Sequence, residues 1–391
     1  MFDVIVCGAG PAGAVAAAVL ARGGARVLLL DRARFPRPKL CGDTINPGSL
    51  ALLQRLGMLA PVEPGALRLK GMIVTGEHGV RVRCAYTPGV HALSIPRSDL
   101  DAAIADAAVA AGARFEQGIV RRPLLDDASR PCVRGVVIAG RDGQDLRVPA
   151  PLVIAADGRR SHLAIPLGLA RTPRHPRRWA IGAYFSDVEG LEPFGEMHVR
   201  RGQYLGIAPV PGGLANVCLV VPAGPRSTRG GEPSGLSDPA SLLQRAINLQ
   251  PALRERFARA RRIGSPVVIG PLAVDAASAG TDGLLLAGDA AGFIDPITGD
   301  GLRFAIRGGE LAAQAALATL AGRLKEPHRR LTLVRAREFG RKWRFNRAVR
   351  RLVSSSASVE IAGVVASAVP WVMRRTVDFA GDVPSAQEMP S

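Results

Sequence analysis

Three glycines near the start of the chain, Gly8, Gly10 and Gly13, have the spacing G-x-G-x-x-G. Glycine lets a backbone approach another molecule closely, and the N–H groups at a helix start face electron-rich groups such as phosphates. A second glycine-rich segment, GDAAGFIDPITGDGL at residues 288–302, places Asp289 between an apolar run and a helix-like stretch. Both segments therefore predict loops that hold a ligand.

The elements around the first three glycines indicate what kind of ligand binds. Residues 4–6 predict a fully buried parallel strand, the small residues 14–21 predict a tightly packed helix, and a second apolar strand ends at Asp31. In such a βαβ unit the first glycine permits a tight turn, the second admits a pyrophosphate, and the third lets helix and strand pack closely. An acid about 20 residues further on is placed for a ribose hydroxyl. The sequence therefore predicts a dinucleotide site.

The second segment indicates which dinucleotide binds. An apolar strand, GLLLA, leads into a turn where the Asp289 carboxylate can accept a hydrogen bond from a ribityl hydroxyl. The helix that starts near Gly299–Gly301 places N–H groups beside the pyrimidine edge of a flavin, where they stabilise the negative charge that follows reduction. The backbone of this turn and of the Pro296 region is expected to shape an oxygen site. We therefore predict FAD.

These motifs, in this order, resemble those of the flavoprotein family that contains aromatic-ring monooxygenases, geranylgeranyl reductases and flavin-dependent halogenases. The segment AADGRRS resembles the family's D-G motif, and FPRPKLCGD resembles the K-x-C-G segment of the geranylgeranyl reductase branch. The resemblance implies that Asp157 secures FAD near the approach of NAD(P)H and that Arg97 contacts the cofactor. It also implies that Val120, at the end of a strand RFEQGIV, meets the adenine through its backbone. The predicted cofactor-binding residues are Gly8, Gly10, Ala12, Gly13, Asp31, Arg32, Lys39, Cys41, Gly42, Arg97, Val120, Asp157, Gly158, Gly288, Asp289, Pro296, Gly299, Gly301 and Leu302.

We predict an α/β fold in three parts. A Rossmann-type FAD-binding domain with a parallel sheet is assigned to residues 1–75, 98–165 and 275–325. An inserted, mainly antiparallel β-sheet domain that binds the substrate is assigned to 76–97 and 166–274, where apolar strands alternate with Gly/Pro turns. Residues 326–391 are expected to form a C-terminal helical region.

Composition limits the classes of partner. The net charge is +18, but the basic residues are almost all scattered arginines and aromatic residues make up only 4% of the chain, so stacking platforms for single strands are scarce. No nucleic-acid-binding motif is present, and we expect no nucleic-acid partner. The five cysteines form no C-x-x-C pair and the histidines show no metal-ligand spacing, so no disulfide framework and no metal site are expected.

The chain opens on a strand with no targeting segment before it, which predicts a cytoplasmic protein. The apolar run at 361–373 is too short to span a bilayer. The basic C-terminal tail leaves two alternatives open. Its helices either pack on the FAD-binding domain with a solvated arginine face, or form an amphipathic surface in peripheral contact with a membrane.

The expected function is that of an FAD-dependent oxidoreductase to which NAD(P)H binds transiently, because the chain has one G-x-G-x-x-G only. The first hypothesis is a monooxygenase that hydroxylates or epoxidises an apolar biosynthetic small molecule through a flavin C4a-hydroperoxide. The alternative is a geranylgeranyl reductase-like saturase that reduces C=C bonds of a lipid or polyprenyl substrate; a second alternative is a non-catalytic flavoprotein or electron carrier. No catalytic side chain is predicted, because the flavin supplies the reactivity.

Overall fold

The computed structural model describes residues 1–77, 79–127, 132–140, 142–175, 177–200, 202–222, 236–354, 358 and 369–383. In chain order the strands are β1 (Val4–Cys7), β2 (Val27–Asp31), β3 (Thr44–Ile45), β4 (Leu67–Leu69), β5 (Gly71–Thr75), β6 (Arg81–Ala85), β7 (Ala92–Ser94), β8 (Arg114–Gln117), β9 (Val120–Leu125), β10 (Val133–Ala139), β11 (Asp145–Pro149), β12 (Leu152–Ala155), β13 (Ala170–Arg171), β14 (Arg178–Ser186), β15 (Gly195–Arg200), β16 (Gln203–Val210), β17 (Leu214–Pro222), β18 (Arg261–Ile269), β19 (Asp275–Ala276), β20 (Gly280–Thr281) and β21 (Leu284–Leu286). The α-helices are α1 (Pro11–Arg22), α2 (Pro47–Arg55), α3 (Arg97–Ala110), α4 (Pro239–Asn248), α5 (Pro251–Arg256), α6 (Gly301–Leu320), α7 (Pro327–Ser354) and α8 (Pro370–Gly381).

The dinucleotide-binding part of the fold is a six-stranded sheet in the order β20-β21-β12-β1-β2-β8. Its strands are parallel except for β20, which pairs antiparallel with β21. Helices α1, α3 and α6 cover one face, and the three-stranded sheet β11-β10-β9 covers the other. Parallel strands buried on both faces have continuous apolar runs, which is why β1 and β2 were recognisable in the sequence. The prediction of a Rossmann-type α/β fold is confirmed.

Helices α1 and α6 pack closely because small residues line their contact. A Cβ on Gly309 of α6 would lie 2.1 Å from the carbonyl oxygen of Ala12, and a Cβ on Gly13 would lie 1.7 Å from the carbonyl oxygen of Gly8. No L-residue with a side chain fits at either point without a backbone shift. The Gly309 contact holds the middle of α6 against the first turn of α1, which follows the glycine loop.

A second sheet has seven strands in the order β18-β14-β17-β16-β15-β5-β6, all antiparallel except the pair β15–β5. Helices α4 and α5 cover its outer face, and the opposite face packs toward Ile297 and α7. This is the predicted, mainly antiparallel inserted sheet. Strand β5 of this sheet begins at Gly71, although the prediction from the sequence assigned residues 1–75 to the FAD-binding domain. The domain boundaries stay a prediction.

One strand prediction was wrong. Val120 does not end a strand that runs through RFEQGIV, because β8 stops at Gln117 and the Gly118 N–H donates to the carbonyl of Asp31 (2.8 Å). Val120 instead begins β9, which pairs antiparallel with β10. The chain changes from one sheet to another within two residues. The sequence does not show this change because the residues on both sides of it have the composition of strands.

The C-terminal helical region forms α7 and α8 in the described residues, while most of the apolar run 361–373 lies outside them. Helix α7 packs on α6 through the buried Leu331 and Phe339, and Arg344 and Arg347 face solvent. Among the helices of the described residues, none combines the length and the apolarity needed to cross a membrane. Peripheral contact with a membrane stays a prediction.

Candidate functional site

A cavity of about 1650 Å³ lies where the carboxyl ends of β1, β2 and β12 face the second sheet. Every predicted cofactor-binding residue lines this cavity except Gly13, including Val120 despite its different strand. Gly13 lies one helical turn behind the loop and serves close packing against Gly8. The fold therefore brings together segments from positions 8 to 302, although it does not by itself show what each residue binds.

The loop between β1 and α1 is shaped to admit a ligand. Gly8 has φ +99°, and a Cβ there would lie 2.3 Å from the carbonyl oxygen of Ala156. A Cβ on Gly10, by contrast, would meet only the Arg37 guanidinium, at 3.7 Å. The backbone at Gly10 is thus open to the cavity, and the first N–H groups of α1 have no partner within the helix. This arrangement fits a pyrophosphate.

The Asp31 side chain ties this loop to the end of β2, and Arg37 lies next to it. The Asp31 carboxylate accepts hydrogen bonds from Ala9 N–H (2.8 Å) and Ala33 N–H (2.9 Å). Arg37 lies 3.8 Å from Asp31 and 3.5 Å from Asp101, and its Nε has no partner among the described residues. The sequence reasoning missed Arg37, although the basic run from Arg32 to Lys39 was a signal for it. Its guanidinium is a candidate for the anionic part of the ligand.

Asp157 and Asp289 face the cavity from two neighbouring strand ends. Asp157 Oδ2 accepts from His162 N–H at 2.7 Å, while the buried Oδ1 has no donor within the described part of the chain. Burial raises the pKa of Asp157, although hydrogen bonds from Ser161 and His162 oppose that rise. No hydrogen bond to the Asp289 side chain is found within the same residues. Two carboxylates with free acceptor positions fit the hydroxyl groups of a ribityl or ribose chain.

The K-x-C-G segment forms part of the same wall. Arg97, at the start of α3, is buried and pairs with Asp101 at 2.7 Å. Burial alone would lower the pKa of Arg97, but Asp101 and the neighbouring Cys41 thiol raise it. Lys39 also lines the cavity, and the protein atoms packed around it together with the nearby Arg97 lower its pKa. This stretch therefore presents two cations and a thiol to the ligand.

Behind Cys41 lies a buried polar cluster that the sequence reasoning missed. Asp43 has φ +52° and accepts hydrogen bonds from Tyr184 Oη (2.6 Å) and from Asn216 Nδ2. Asn216 Nδ2 also donates to the carbonyl of Cys41 at 3.0 Å. Burial raises the pKa of Asp43 to about 6, against the two hydrogen bonds and the nearby Arg97. Side chains of the second sheet thus hold the Cys41–Gly42 turn in place.

The segment 288–302 closes the other side of the cavity. It contains 3₁₀ turns at Gly288–Ala291 and Pro296–Thr298, then Gly299 in the left-handed region (φ +69°) and the start of α6 at Gly301. Gly299 has open space where a Cβ would lie, so its positive φ, and not its surroundings, requires glycine. The turn directs the free N–H groups at the start of α6 toward the cavity. The donors and acceptors of this segment fit a flavin.

A large part of the cavity wall is apolar. The second sheet contributes Met72, Val82, Met197, Val199 and Val220, and α7 and α8 contribute Phe345, Val349, Val372, Met373 and Val377. Of the two alternatives for the tail, packing on the body of the protein is what the described residues show. The tail also encloses the apolar part of the cavity.

Comparison with known proteins agrees with this site. The family model described as an FAD binding domain matches residues 1–327. The menaquinone reductase of Mycolicibacterium smegmatis is 32% identical over 324 residues, 80% of this chain and 75% of that protein. Digeranylgeranylglycerophospholipid reductase 2 of Methanopyrus kandleri is 32% identical over 326 residues, 81% of this chain and 76% of that protein. The chain belongs to this family of FAD-binding proteins and is an FAD-dependent oxidoreductase.

Solved structures agree on the fold. The flavin-dependent brominase Bmp2 superposes with a TM-score of 0.82 over 98% of this chain and 94% of that chain, at 20% identity. The halogenase CndH superposes with a TM-score of 0.79 over 98% of each chain, at 21% identity. At these identities the likeness concerns the fold alone. The predictions of the family, of the fold and of FAD as cofactor are confirmed.

Proposed function

We propose that this protein reduces carbon–carbon double bonds in the polyprenyl chain of a lipid or a quinone, with NAD(P)H as the source of hydride. The observation that carries the proposal is the cavity that joins the dinucleotide loops to a long apolar wall. Ligand pockets commonly measure about 300–1,000 Å³, so a cavity of about 1650 Å³ has room for a dinucleotide and an apolar chain. The names of the reductase relatives refer to molecules that carry polyprenyl chains.

The predicted cofactor residues receive the following roles in this proposal. The glycine loop and the start of α1 bind the pyrophosphate, with Arg37 as a further cation. Asp31 holds the glycine loop and faces a ribose, and Asp157 and Asp289 accept from hydroxyl groups. The start of α6 stabilises negative charge at the flavin. FAD bound there would supply hydride chemistry with NAD(P)H as the reductant, and Asp157 is the residue near which NAD(P)H is proposed to approach.

Saturation of a double bond also needs a proton. The Cys41 thiol lies in the cavity wall beside Arg97, and the Asp43–Tyr184–Asn216 cluster fixes the backbone that carries it. We assign Cys41 the role of proton donor to the carbon that does not receive hydride. The apolar wall excludes water from this step, so that the proton comes from the protein.

The test begins with the purified protein reconstituted with FAD. Its flavin is reduced by NADPH or NADH without oxygen, and the reduced protein is mixed with menaquinone or with a digeranylgeranyl glycerophospholipid. Mass spectrometry should show products heavier by two hydrogen atoms per reduced bond. Cys41→Ala should keep flavin reduction by NAD(P)H and lose most of this product, whereas Cys218→Ala, a second thiol that lines the cavity, should keep both.

The monooxygenase that the sequence favoured is the other outcome of the same experiment. If oxygen-dependent products heavier by one oxygen atom form and saturated products do not, the reductase proposal is wrong. The relatives' names support reduction, and the turn expected to shape an oxygen site, at Pro296 and Gly299–Gly301, serves the flavin in either reaction. For that reason we propose reduction of carbon–carbon double bonds, and not oxygen insertion, as the reaction of this protein.

A further inference from the structure

Helix α7 lies outside the family match of residues 1–327, apart from its first residue, yet its buried face contains three polar side chains. Arg335, Lys342 and Asn346 are at most 4% exposed. Together with the buried Leu331 and Phe339 they lie on one face of the helix, at intervals of three or four residues. A stripe at this spacing is ordinarily apolar. Buried polar groups need partners because an unpaired one costs free energy, so the partners of these three residues indicate what the helix does.

All three side chains reach the segment that forms the flavin side of the cavity. Arg335 Nη2 donates to the carbonyl of Ala291 at 3.1 Å. Asn346 Nδ2 donates to the carbonyl of Asp295 at 2.9 Å and to Thr298 Oγ1 at 2.7 Å. The third side chain, Lys342, contacts the carboxylate of Asp300, the residue that precedes α6. Helix α7 therefore holds the segment 288–300 along its whole length.

Lys342 also holds a second element. Its Nζ lies 3.1 Å from Asp300 Oδ1, and it also lies 3.1 Å from Asp382 Oδ1, just beyond α8. The carbonyls of Phe379 and Ala380, in the last turn of α8, accept from the same ammonium group. A lysine ammonium has three donors and no acceptor. This one joins the start of α6 to the end of α8.

The two joined elements belong to different parts of the cavity. Asp300 separates Gly299 from Gly301, whose N–H groups are proposed to face the flavin. Helix α8 contributes Val372, Met373 and Val377 to the apolar wall. Asp300 is 1% exposed, and the Asp300 carboxylate at the start of α6 opposes any negative charge on the flavin unless a cation neutralises it. Lys342 is the cation beside Asp300, and the same ammonium group is held by the end of α8.

We propose that Lys342 is a positioning residue that neutralises Asp300 and thereby couples the docking of α8, on the substrate side, to the reduction potential of bound FAD. The proposal rests on FAD binding by this family and not on the substrate proposed above. Its test uses flavin chemistry without any substrate, so the two proposals fail independently.

The primary measurement is the midpoint potential of the bound FAD, determined anaerobically against reference dyes. Lys342→Met should weaken binding of reduced relative to oxidised FAD by about tenfold, which corresponds to a shift of about 30 mV toward more negative potential for a two-electron couple. Lys342→Arg keeps the positive charge and should recover most of the potential. Arg344→Met removes an equal charge from the exposed face of the same helix and should leave the potential unchanged.

Two further variants separate coupling from simple stabilisation. In an Asp300→Asn background, Lys342→Met should shift the potential by much less than it does in the native chain, because the two side chains act as a pair. Gly48→Ala leaves every charge in place but puts a Cβ 2.3 Å from the Asp382 Cβ. It should displace the end of α8 and shift the potential in the same direction as Lys342→Met, by a smaller amount.

A purely structural role predicts a different pattern. Lys342→Met would then lower the melting temperature while the potential stayed at the native value, and this result would overturn the proposal. Equal shifts from Lys342→Met in the native and Asp300→Asn backgrounds would overturn it as well. If Lys342→Met does not fold, Gly48→Ala still decides the question. Gly48→Ala could displace α8, which faster hydrogen exchange of that helix would show, and still keep the native midpoint potential. That result would also overturn the proposal.

Discussion

The Tyr184 hydroxyl donates a hydrogen bond to the Asp43 carboxylate at 2.6 Å, across 141 residues of chain. This contact joins β14 of the seven-stranded sheet to the turn that carries Cys41. Asn216, on the neighbouring strand β17, bonds to the same carboxylate. Tyr184, Asn216 and Asp43 therefore connect the seven-stranded sheet to the Cys41–Gly42 turn in the cavity wall, and the titration of Asp43 has consequences for stability.

The first prediction concerns pH. Burial raises the pKa of Asp43 from 3.8 to about 6, so the folded protein binds this proton more tightly than the unfolded chain does. The contribution of Asp43 to stability is therefore full below pH 3.8 and is lost as the pH rises through 6. Relative to Asp43→Asn, the native protein should lose about 3 kcal/mol of unfolding free energy between pH 4 and 7. Urea unfolding of both proteins across this range measures the difference.

Tyr184→Phe provides the control for this prediction. It removes a hydrogen bond that lowers the pKa of Asp43, so the window in which stability is lost should move to higher pH. If the stability curves of native protein and Asp43→Asn run parallel from pH 4 to 7, the prediction is wrong.

The second prediction concerns the contact between α1 and α6. Gly309→Ala puts a methyl group 2.1 Å from the Ala12 carbonyl oxygen. Because this oxygen belongs to the backbone, the backbone itself has to move. Overpacking of this kind lowers the free energy of unfolding by about 1–3 kcal/mol. We expect a lower melting temperature and weaker FAD binding, because α6 moves away from the glycine loop. Gly340→Ala is the matched control: nothing lies within 4 Å of its Cβ, and a helical alanine should raise stability by up to about 1 kcal/mol. Equal melting temperatures for the two variants would contradict the packing argument.

The third prediction concerns the free carboxylate on the flavin side. Asp289→Ala should weaken FAD binding by about ten- to a hundredfold, since a hydrogen bond to a charged group contributes about 1.5–3 kcal/mol. Fluorescence titration of the apoprotein with FAD gives the dissociation constant. Asp275→Ala removes an exposed aspartate from β19 and should leave the constant at its native value. Native affinity in Asp289→Ala would remove this residue from the proposed cofactor contacts.

The fourth prediction concerns the apolar part of the cavity. Val349→Trp fills space in the apolar part of the cavity and should reduce turnover of a long polyprenyl substrate by about tenfold or more, because the chain and the indole compete for the same volume. Anaerobic reduction of the flavin by NAD(P)H should proceed at the native rate, as measured by stopped-flow absorbance. Val109→Trp, at an exposed position of α3, should change neither rate. Undiminished turnover in Val349→Trp would place the substrate elsewhere.

Much of the fold was predictable because its signals are local. The strand β1, the glycine loop, α1 and β2 follow one another within 31 residues, so spacing and apolar periodicity suffice to define the unit. The start of α6 was predictable for the same reason. The strand change at Gly118–Val120 was not, since the residues on both sides of it favour strand and only the partner sheet differs.

The tail shows the opposite case. Its arginines and scattered apolar residues left both packing and membrane contact open, because the composition of a helix does not say which face is covered. The structure places Lys342 and Asn346 on the buried face, where neither is expected from side-chain polarity. Each is stable there only because a partner in the segment 295–300 meets it.

The dinucleotide unit could be predicted from the sequence alone, and with the segment 288–302 so could the cofactor, since each of these motifs depends on residues close together in the chain. The tertiary structure alone decided which distant side chains meet: Tyr184 with Asp43, and Lys342 with Asp300. The burial of a polar group depends on the partner that arrives from elsewhere in the fold, and no local pattern encodes that partner.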